Sequence, residues 1–199
     1  MIYIISLEES TDRLNPLVEK LRSMNIFSYK IVRPIKVEEE VESPSEGWNK
    51  QALSLKLTTI SIIEEAMEKE YPYIHIFEDD SIVDEQNYLK YITNFNKFLK
   101  KDLSWDFIHL NWSNGNRFSL ESVCGFGRTL DGVLCCQSYV INKDVYQVYL
   151  DLLLKHNVPI DEITKHIHKH RKRSFVVYEK PVIHEKGKYS TIRQKIVNY

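Results

Sequence analysis

Strand-like and helix-like segments alternate along the chain, and this alternation limits its fold more than any other feature. Short apolar runs typical of strands occupy residues 2–7, 29–32, 73–78, 105–110, 138–141 and 175–178. Between them apolar residues recur at helical spacing, most clearly over residues 49–69. Such an alternation is typical of a mostly parallel sheet covered by helices. We therefore predict an α/β fold in which residues 1–199 form a single domain with one substantial core.

Shorter apolar stripes predict further helices. They lie at residues 14–24, 89–99 and 145–153. Ser10 or Thr11 is placed to cap the first of them, and a short helix is expected to start at Asp161. Residues 36–47 and residues 111–132 lack either periodicity and are predicted to be irregular.

An acidic motif follows the predicted strand at residues 73–78. Side chains alternate between the faces of a strand, so Glu78 and Asp80 are expected on one face and Asp79 on the other. Two carboxylates on one face repel each other, and a cation relieves that repulsion. Their oxygen atoms suit Mg²⁺ or Mn²⁺ shared with substrate phosphates. The alternative is a solvated acidic turn in which Asp79 or Asp80 caps the next helix.

Polar residues gather after strands that should end at one edge of the sheet. Ser6 and Glu8 follow the first strand, and Asn111 and Trp112 follow the strand at residues 105–110. Ligands of open α/β sheets bind off the carboxyl ends of the strands. The sequence contains neither of the familiar glycine-rich phosphate loops. A nucleotide at this edge would therefore need a metal and basic side chains to hold its phosphates.

Charge and cysteine content exclude several classes of protein. The formal net charge of −1 gives no global attraction to nucleic acid or to an anionic membrane. Cys124, Cys135 and Cys136 match neither a secreted disulfide framework nor a zinc-site spacing, so reduced thiols are predicted. The chain begins with a strand-like run rather than a signal peptide, and no apolar stretch is long enough to span a membrane. We expect a soluble cytoplasmic protein with no transmembrane segment and no nucleic-acid partner.

Four segments, in order, match the motifs of one enzyme family. Residues 5–13 are similar to an opening strand followed by Ser-x-Asp-Arg, and residues 52–66 to a helix beginning Ala-Leu-Ser-His. Residues 76–80 and 159–162 are similar to Leu-Glu-Asp-Asp and Pro-Val-Asp-Asp, and the tail at residues 181–192 is similar, more loosely, to a segment ending Ser-Asp-Ile. Over most of its length the chain therefore resembles glycosyltransferase family 25, the lipopolysaccharide-type and procollagen-type galactosyltransferases.

This resemblance implies a GT-A fold, a Rossmann-like and mostly parallel sheet flanked by helices. It implies metal-dependent transfer of a sugar, of hexosyltransferase type, from a nucleoside diphosphate sugar to a glycan or other hydroxyl acceptor. A UDP-linked donor and inversion of configuration are expected. Two departures bear on the acceptor and the sugar rather than on the reaction class. Thr58 or Thr59 stands where the family often has His, and Thr191 stands where it has Asp.

The resemblance also assigns a metal site for Mn²⁺ or Mg²⁺. Asp80 is the first choice for a direct ligand, with Glu78 and the late residue His184 as the others. Glu78 alternatively contacts the ribose or a metal-bound water, and Asp79 is either a second ligand or a cap. A divalent ion that bridges the diphosphate stabilises the charge that develops as the sugar–phosphate bond breaks.

A second set of residues is assigned to the nucleotide. Its members are Ser6, Leu7, Glu8, Arg13, Glu78, Asp79, Lys186 and Lys188. Lys186 and Lys188 flank Gly187, an arrangement suited to a mobile, basic clamp over the diphosphate. The simpler interpretations are an ordinary loop histidine for His184, a solvated tail for the two lysines and a helix-surface arginine for Arg13.

An inverting transfer needs a base that takes the proton of the acceptor hydroxyl. Asp161 in the sequence Pro-Ile-Asp-Glu is the best candidate and Glu162 is the second. The competing interpretation makes Asp161 a helix N-cap, a position that aspartate also fills well.

Three histidines lie in a basic stretch after this motif. His166 and His170 would be one helical turn apart, as in some zinc sites, but the neighbouring lysines and arginines would repel a cation. A solvated basic patch is the simpler interpretation of His166, His168 and His170, and such a patch is suited to docking a membrane face or a partner.

Two other functional classes fit parts of the sequence. A metal-dependent phosphohydrolase or nucleotidyltransferase would use the same acidic strand end, but a two-metal site needs more carboxylates than this motif supplies. A non-catalytic nucleotide- or glycan-binding module, or one module of a larger multi-domain enzyme, is the other alternative, because the chain is short for the family.

Overall fold

A central sheet of eight strands is the frame of the molecule. The computed structural model describes residues 1–38, 48–112, 117–133, 137–184, 189–190 and 195–196. Its strands are β1 (Ile2–Ile5), β2 (Tyr29–Val32), β3 (Tyr73–Glu78), β4 (Ser81–Val83), β5 (Phe107–His109), β6 (Phe118–Val123), β7 (Phe126–Thr129), β8 (Ser138–Asn142), β9 (Ser174–Val177), β10 (Val182–His184), β11 (Tyr189–Ser190) and β12 (Lys195–Ile196). β4 pairs with β10, and β11 with β12, outside the main sheet.

Five helices lie close to the predicted positions. They are α1 (Thr11–Ser23), α2 (Lys50–Glu68), α3 (Glu85–Leu99), α4 (Tyr146–Lys155) and α5 (Ile160–Arg171). The start of α2 is fixed by Asn49, whose side chain accepts a hydrogen bond of 2.9 Å from the backbone N–H of Ala52. None of the helices within the described ranges combines the length and the apolar character needed to cross a membrane.

The order of strands in the main sheet is β2-β1-β3-β8-β5-β9-β7-β6. β1 is parallel to both β2 and β3, and β5 is parallel to β9, whereas β8 lies antiparallel between β3 and β5. β7 is antiparallel to β9 and to β6. Within the described ranges, six of the eight strands therefore run in one direction and only β7 and β8 oppose them. The prediction of a largely parallel α/β sheet is confirmed.

The prediction of an irregular stretch at residues 111–132 was wrong, because this stretch contains the hairpin of β6 and β7. A two-residue turn joins the strands, with φ of 54° at Cys124 and 84° at Gly125, the positive values that tight hairpins need. Gly127 in β7 has no room for a side chain, since an added Cβ would lie 2.7 Å from the ring of Tyr178. Cys135, Cys136 and residues 39–47 of the predicted loop lie outside the described residues.

Helices cover both faces of the sheet. α2, α4 and α5 pack on one face, and α1 and α3 pack on the other. The alternation of β1 shows how one strand serves both layers, because Tyr3 and Ile5 belong to the first core and Ile4 to the second. The two cores leave the carboxyl ends of β1 and β3 side by side at one edge of the sheet.

Candidate active site

The acidic motif lies at the carboxyl edge of the sheet, where β1, β3 and β8 meet. Ile5 at the end of β1 is in register with Glu78 at the end of β3. The backbone N–H of Asp79 donates to the Ile5 carbonyl at 3.1 Å, and that of Glu78 donates to the Gln137 carbonyl at 2.8 Å. These bonds hold the backbone from which the three carboxylates project.

Asp79 faces the interior and links the strand end to α1. Its side chain is buried, and its Oδ1 lies 3.5 Å from the Nε of Arg13. Burial raises the pKa of Asp79, while the Arg13 guanidinium, the Ser6 hydroxyl and the Leu7 backbone N–H favour the charged form. The Nη2 of Arg13 also donates a hydrogen bond of 2.7 Å to the Oγ of Ser10. Polar interactions at the end of β1 thus connect Asp79 to Ser6, Leu7 and Arg13.

The alternative in which Asp79 or Asp80 caps the next helix is wrong. α3 begins after Asp84, whose side chain accepts a hydrogen bond of 2.8 Å from the backbone N–H of Asn87. Asp79 and Asp80 form the turn between β3 and β4. Glu78 and Asp80 are half-buried on either side of the buried Asp79.

Glu78 has the most perturbed carboxyl group at this edge. Its pKa is raised well above the usual value, first by burial and then by the charges of Asp80, Asp161 and Asp79, with Arg13 acting in the opposite direction. Asp161 belongs to α5, far along the chain, yet it lies within electrostatic reach of Glu78. We call Glu78, Asp79, Asp80 and Asp161 the carboxylate edge.

Asp161 is held inside the first turn of α5 rather than at its cap. The N-cap position belongs to Pro159, so the interpretation of Asp161 as the N-cap is wrong. Thr164 stabilises this turn, because its hydroxyl donates a hydrogen bond of 2.8 Å to the backbone carbonyl of Asp161. Glu162, the second candidate base, is exposed and lies 3.8 Å from the Nζ of Lys165. Of these two acidic residues, Asp161 and not Glu162 is among the charges that raise the pKa of Glu78.

Two side chains at this edge were not identified as site residues from the sequence. Arg33 directly follows β2, and its Nη1 donates to the carbonyls of Ser6 at 3.0 Å and Leu7 at 2.7 Å. Its place after a parallel strand was a usable signal. Gln137 accepts a hydrogen bond of 2.6 Å from Asn111 through its side chain. Gln137 precedes β8, so it reaches this edge only because β8 is antiparallel.

A buried lysine holds the loop that leads into Asp161. Lys56 of α2 is 4% exposed, and its Nζ donates to the His156 carbonyl at 3.3 Å and to Asn157 Oδ1 at 3.1 Å. Its Nζ also lies 5.0 Å from the centre of the Trp48 ring. Burial lowers the pKa of Lys56. Lys56 therefore connects α2 to the start of α5.

Of the residues assigned near the end of the chain, the structure describes only some. Lys186 and Lys188 lie outside the described residues, as do Gly187 and Thr191. The backbone of His184 ends β10 and is in register with Ser81, the residue after Asp80. Glu8 is exposed in the turn after β1.

The donor set of the carboxylate edge suits a hard divalent ion. Glu78, Asp80 and Asp161 offer oxygen atoms, and their mutual repulsion is what a cation would relieve. Among the described side chains, no three of His, Cys, Asp or Glu already stand in a geometry that could hold a metal ion. By charge and ligand type the edge fits such an ion, but its described side chains do not form a preassembled site.

A cavity runs along α5. It has a volume of about 510 Å³ and is lined by Leu130, Asp131, Glu162, Lys165, His166, His168, Lys169 and Lys172. We call it the α5 groove. The prediction of a solvated patch holds for the exposed His166 and His170, whose rings are 4.6 Å apart, but not for His168, which is 3% exposed.

A comparison with family models identifies the chain. Residues 1–164 match the model of glycosyltransferase family 25, described as an LPS biosynthesis protein. The chain belongs to glycosyltransferase family 25. It is accordingly a glycosyltransferase, which uses a sugar donor and an acceptor. A comparison with curated proteins found no match.

Two solved structures illustrate how far the chain resembles known proteins. A glycosyltransferase involved in glycosylation of the major capsid of PBCV-1 is 16% identical, with 97% of this chain and 95% of that chain covered and a TM-score of 0.54. Mouse xyloside xylosyltransferase 1 is 13% identical, with 87% of this chain and 70% of that chain covered and a TM-score of 0.41. The first likeness concerns the fold, which is of the GT-A type.

Proposed function

We propose that this family 25 enzyme transfers a hexose from a uridine diphosphate sugar to a hydroxyl acceptor in a metal-dependent, inverting reaction. One observation carries the proposal. Asp80 and Asp161 come from distant segments of the chain. The negative charges of both raise the pKa of Glu78 at the edge where β1 and β3 end. Ligands of open α/β sheets bind at this edge.

The metal-binding role is assigned to Glu78, Asp80 and His184. The two carboxylates repel each other, and the backbone of His184 lies opposite the residue that follows Asp80. A bound Mn²⁺ or Mg²⁺ would stabilise the negative charge of the departing diphosphate. Arg33 and Arg13 lie at the neighbouring end of β1, where their charges favour an anionic ligand.

The role of base is assigned to Asp161. The acceptor hydroxyl attacks the anomeric carbon of the donor sugar, Asp161 takes the hydroxyl proton, and the bond from the anomeric carbon to the phosphate oxygen breaks on the opposite face. The nucleoside diphosphate leaves. Asp161 suits this role because it is half-buried and reaches the carboxylate edge, whereas Glu162 is exposed.

Calorimetric titration with uridine diphosphate, with Mn²⁺ and then with a chelator, tests the donor half of the proposal. We expect the chelator to abolish binding. Asp80→Asn should weaken Mn²⁺-dependent binding by more than about 100-fold, because even changes outside the ligand shell cost about 10- to 100-fold. Asp84→Asn is the matched control, since asparagine caps α3 as well as aspartate does. Equal affinity with Mn²⁺ and with chelator would refute metal dependence.

The anomeric configuration of the product, read by NMR, tests the transfer half. Inversion agrees with a single displacement assisted by Asp161. Retention would remove Asp161 from the role of base.

A further inference from the structure

The α5 groove has a wall that is built by close packing against the helix. Gly132 has φ of 82°, and a Cβ added to it would lie 3.1 Å from both Cα and Cγ of Lys165. The loop after β7 therefore touches α5 at this point, and only glycine fits there without displacing the helix. Leu130 and Asp131, just before Gly132, form the opposite side of the groove from the lysines of α5.

The charges of the groove are unevenly compensated. Asp131 is engaged by Arg117 through two hydrogen bonds of 2.6 and 2.7 Å, and Glu162 lies 3.8 Å from Lys165. Within the described ranges, Lys169 and Lys172 form no ion pair with a carboxylate. Both are exposed and both line the cavity. The groove thus presents two cations to a ligand.

A buried histidine adds a neutral polar atom. His168 lines the groove and is 3% exposed, and its Nδ1 has no hydrogen-bond partner among the described residues. Burial lowers the pKa of His168, while a hydrogen bond to the Leu130 backbone acts in the opposite direction. A neutral ring that donates through one nitrogen accepts through the other. Because the Nδ1 atom is buried, His168 packs beneath the groove, and the exposed lysines are the groups that a ligand can contact.

The groove begins next to the carboxylate edge. Glu162, at one end of the groove, follows Asp161 directly, and Lys172 lies about 15 Å further along the helix at 1.5 Å per residue. A ligand that lies along α5 therefore extends towards Asp161, the proposed base.

We propose that the α5 groove binds the acceptor, and that this acceptor is a saccharide carrying an anionic group, either a phosphate or a carboxylate. This rests on the proposed transferase function and names its substrate class. Lys169 and Lys172, the exposed cations of the groove, bind the anionic group, and the hydroxyl that attacks lies towards Asp161. The donor diphosphate occupies the carboxylate edge, so the two substrates approach Asp161 from different directions.

Titration of the metal-free protein with small probes tests the proposal without any turnover. The probes are glucose 6-phosphate, glucuronic acid, glucose and inorganic phosphate, followed by NMR or calorimetry. We expect at least one of the two charged sugars to bind about 10-fold more tightly than glucose, since two exposed cations each contribute a modest stabilisation. Glucose 6-phosphate and glucuronic acid distinguish a phosphorylated from a carboxylated acceptor. The preference should weaken with added salt.

The double variant Lys169→Gln, Lys172→Asn should lose this preference, and asparagine is chosen because Lys172 has φ of 52°. Lys97→Gln is the matched control, an exposed lysine of α3 on the other face of the sheet. A wild-type protein that does not prefer either charged sugar, or a double variant that keeps the preference, would overturn the proposal. So would inorganic phosphate binding as tightly as glucose 6-phosphate, or uridine diphosphate competing for the groove. Metal-dependent binding of uridine diphosphate is measured separately, so either result can fail alone.

Discussion

The two ends of helix α5 differ in charge and in surroundings. At its start Asp161 is half-buried at the carboxylate edge, whereas towards its end Lys169 and Lys172 line an open groove. The helix macrodipole alone favours acidic residues at the first turn and basic residues at the last. It does not explain why the charge at one end acts on the carboxylate of Glu78 while the other end lines a cavity. One helix thus carries an acidic residue beside the carboxylate edge at its start and basic residues beside a cavity towards its end.

The largest expected effect separates the two neighbours at the start of α5. Asp161→Asn should lower turnover by about 10²- to 10⁴-fold, the usual contribution of a general base, with little change in nucleotide or metal binding. Glu162→Gln, the comparison variant, should keep a near-normal kcat and change at most KM, because Glu162 lines the groove proposed to bind the acceptor and is not among the charges that raise the pKa of Glu78. Steady-state kinetics with each variant provide the measurement. Equal losses from both variants would mean that the comparison between edge and groove is mistaken.

An intermediate effect is expected from the support of α5. Lys56→Met removes the donor to the His156 carbonyl and Asn157 Oδ1, and it should lower the free energy of unfolding by about 1–3 kcal/mol. Lys155→Met, an exposed change in α4, should alter it by less than about 0.5 kcal/mol. Urea titrations compare the two. If Lys56 also positions Asp161, the turnover of Lys56→Met should fall even at temperatures where the variant remains folded. Unchanged turnover would mean that Lys56 contributes to stability alone.

The smallest effect concerns pH and the charge of Glu78. Its pKa is raised in the folded state, so the folded protein binds the Glu78 proton more tightly than the unfolded chain. The resulting stabilisation is full below the ordinary pKa of 4.5 and is lost as pH rises through the raised pKa. Glu78→Gln should remove this pH-dependent loss, because glutamine has no proton to release. Unfolding measured from pH 4 to pH 8 without metal, for both proteins, gives the difference directly. Parallel curves would contradict the raised pKa.

Local pattern determined much of the fold and part of the site. Apolar spacing predicted α2 at residues 49–69, within one residue of Lys50–Glu68 at each end. This works because the residues on the buried face of a helix recur every three or four positions in the sequence. The acidic strand end was readable for the same reason, since strand alternation is a property of neighbouring residues. The exception is the hairpin of β6 and β7, where Gly127 leaves no apolar side chain to count because Tyr178 fills the space.

Long-range pairing decided the rest. The sequence indicated a strand at residues 138–141 but not its direction, and the antiparallel setting of β8 is what brings Gln137 to the carboxylate edge. The meeting of Asp161 with Glu78, the bridge from Lys56 to the loop before α5 and the wall that Gly132 builds against Lys165 all join segments far apart in sequence. Strand order and helix packing depend on contacts across the whole chain, whereas periodicity depends on neighbours, so the sequence by itself specified the elements and only the tertiary structure specified which charges meet.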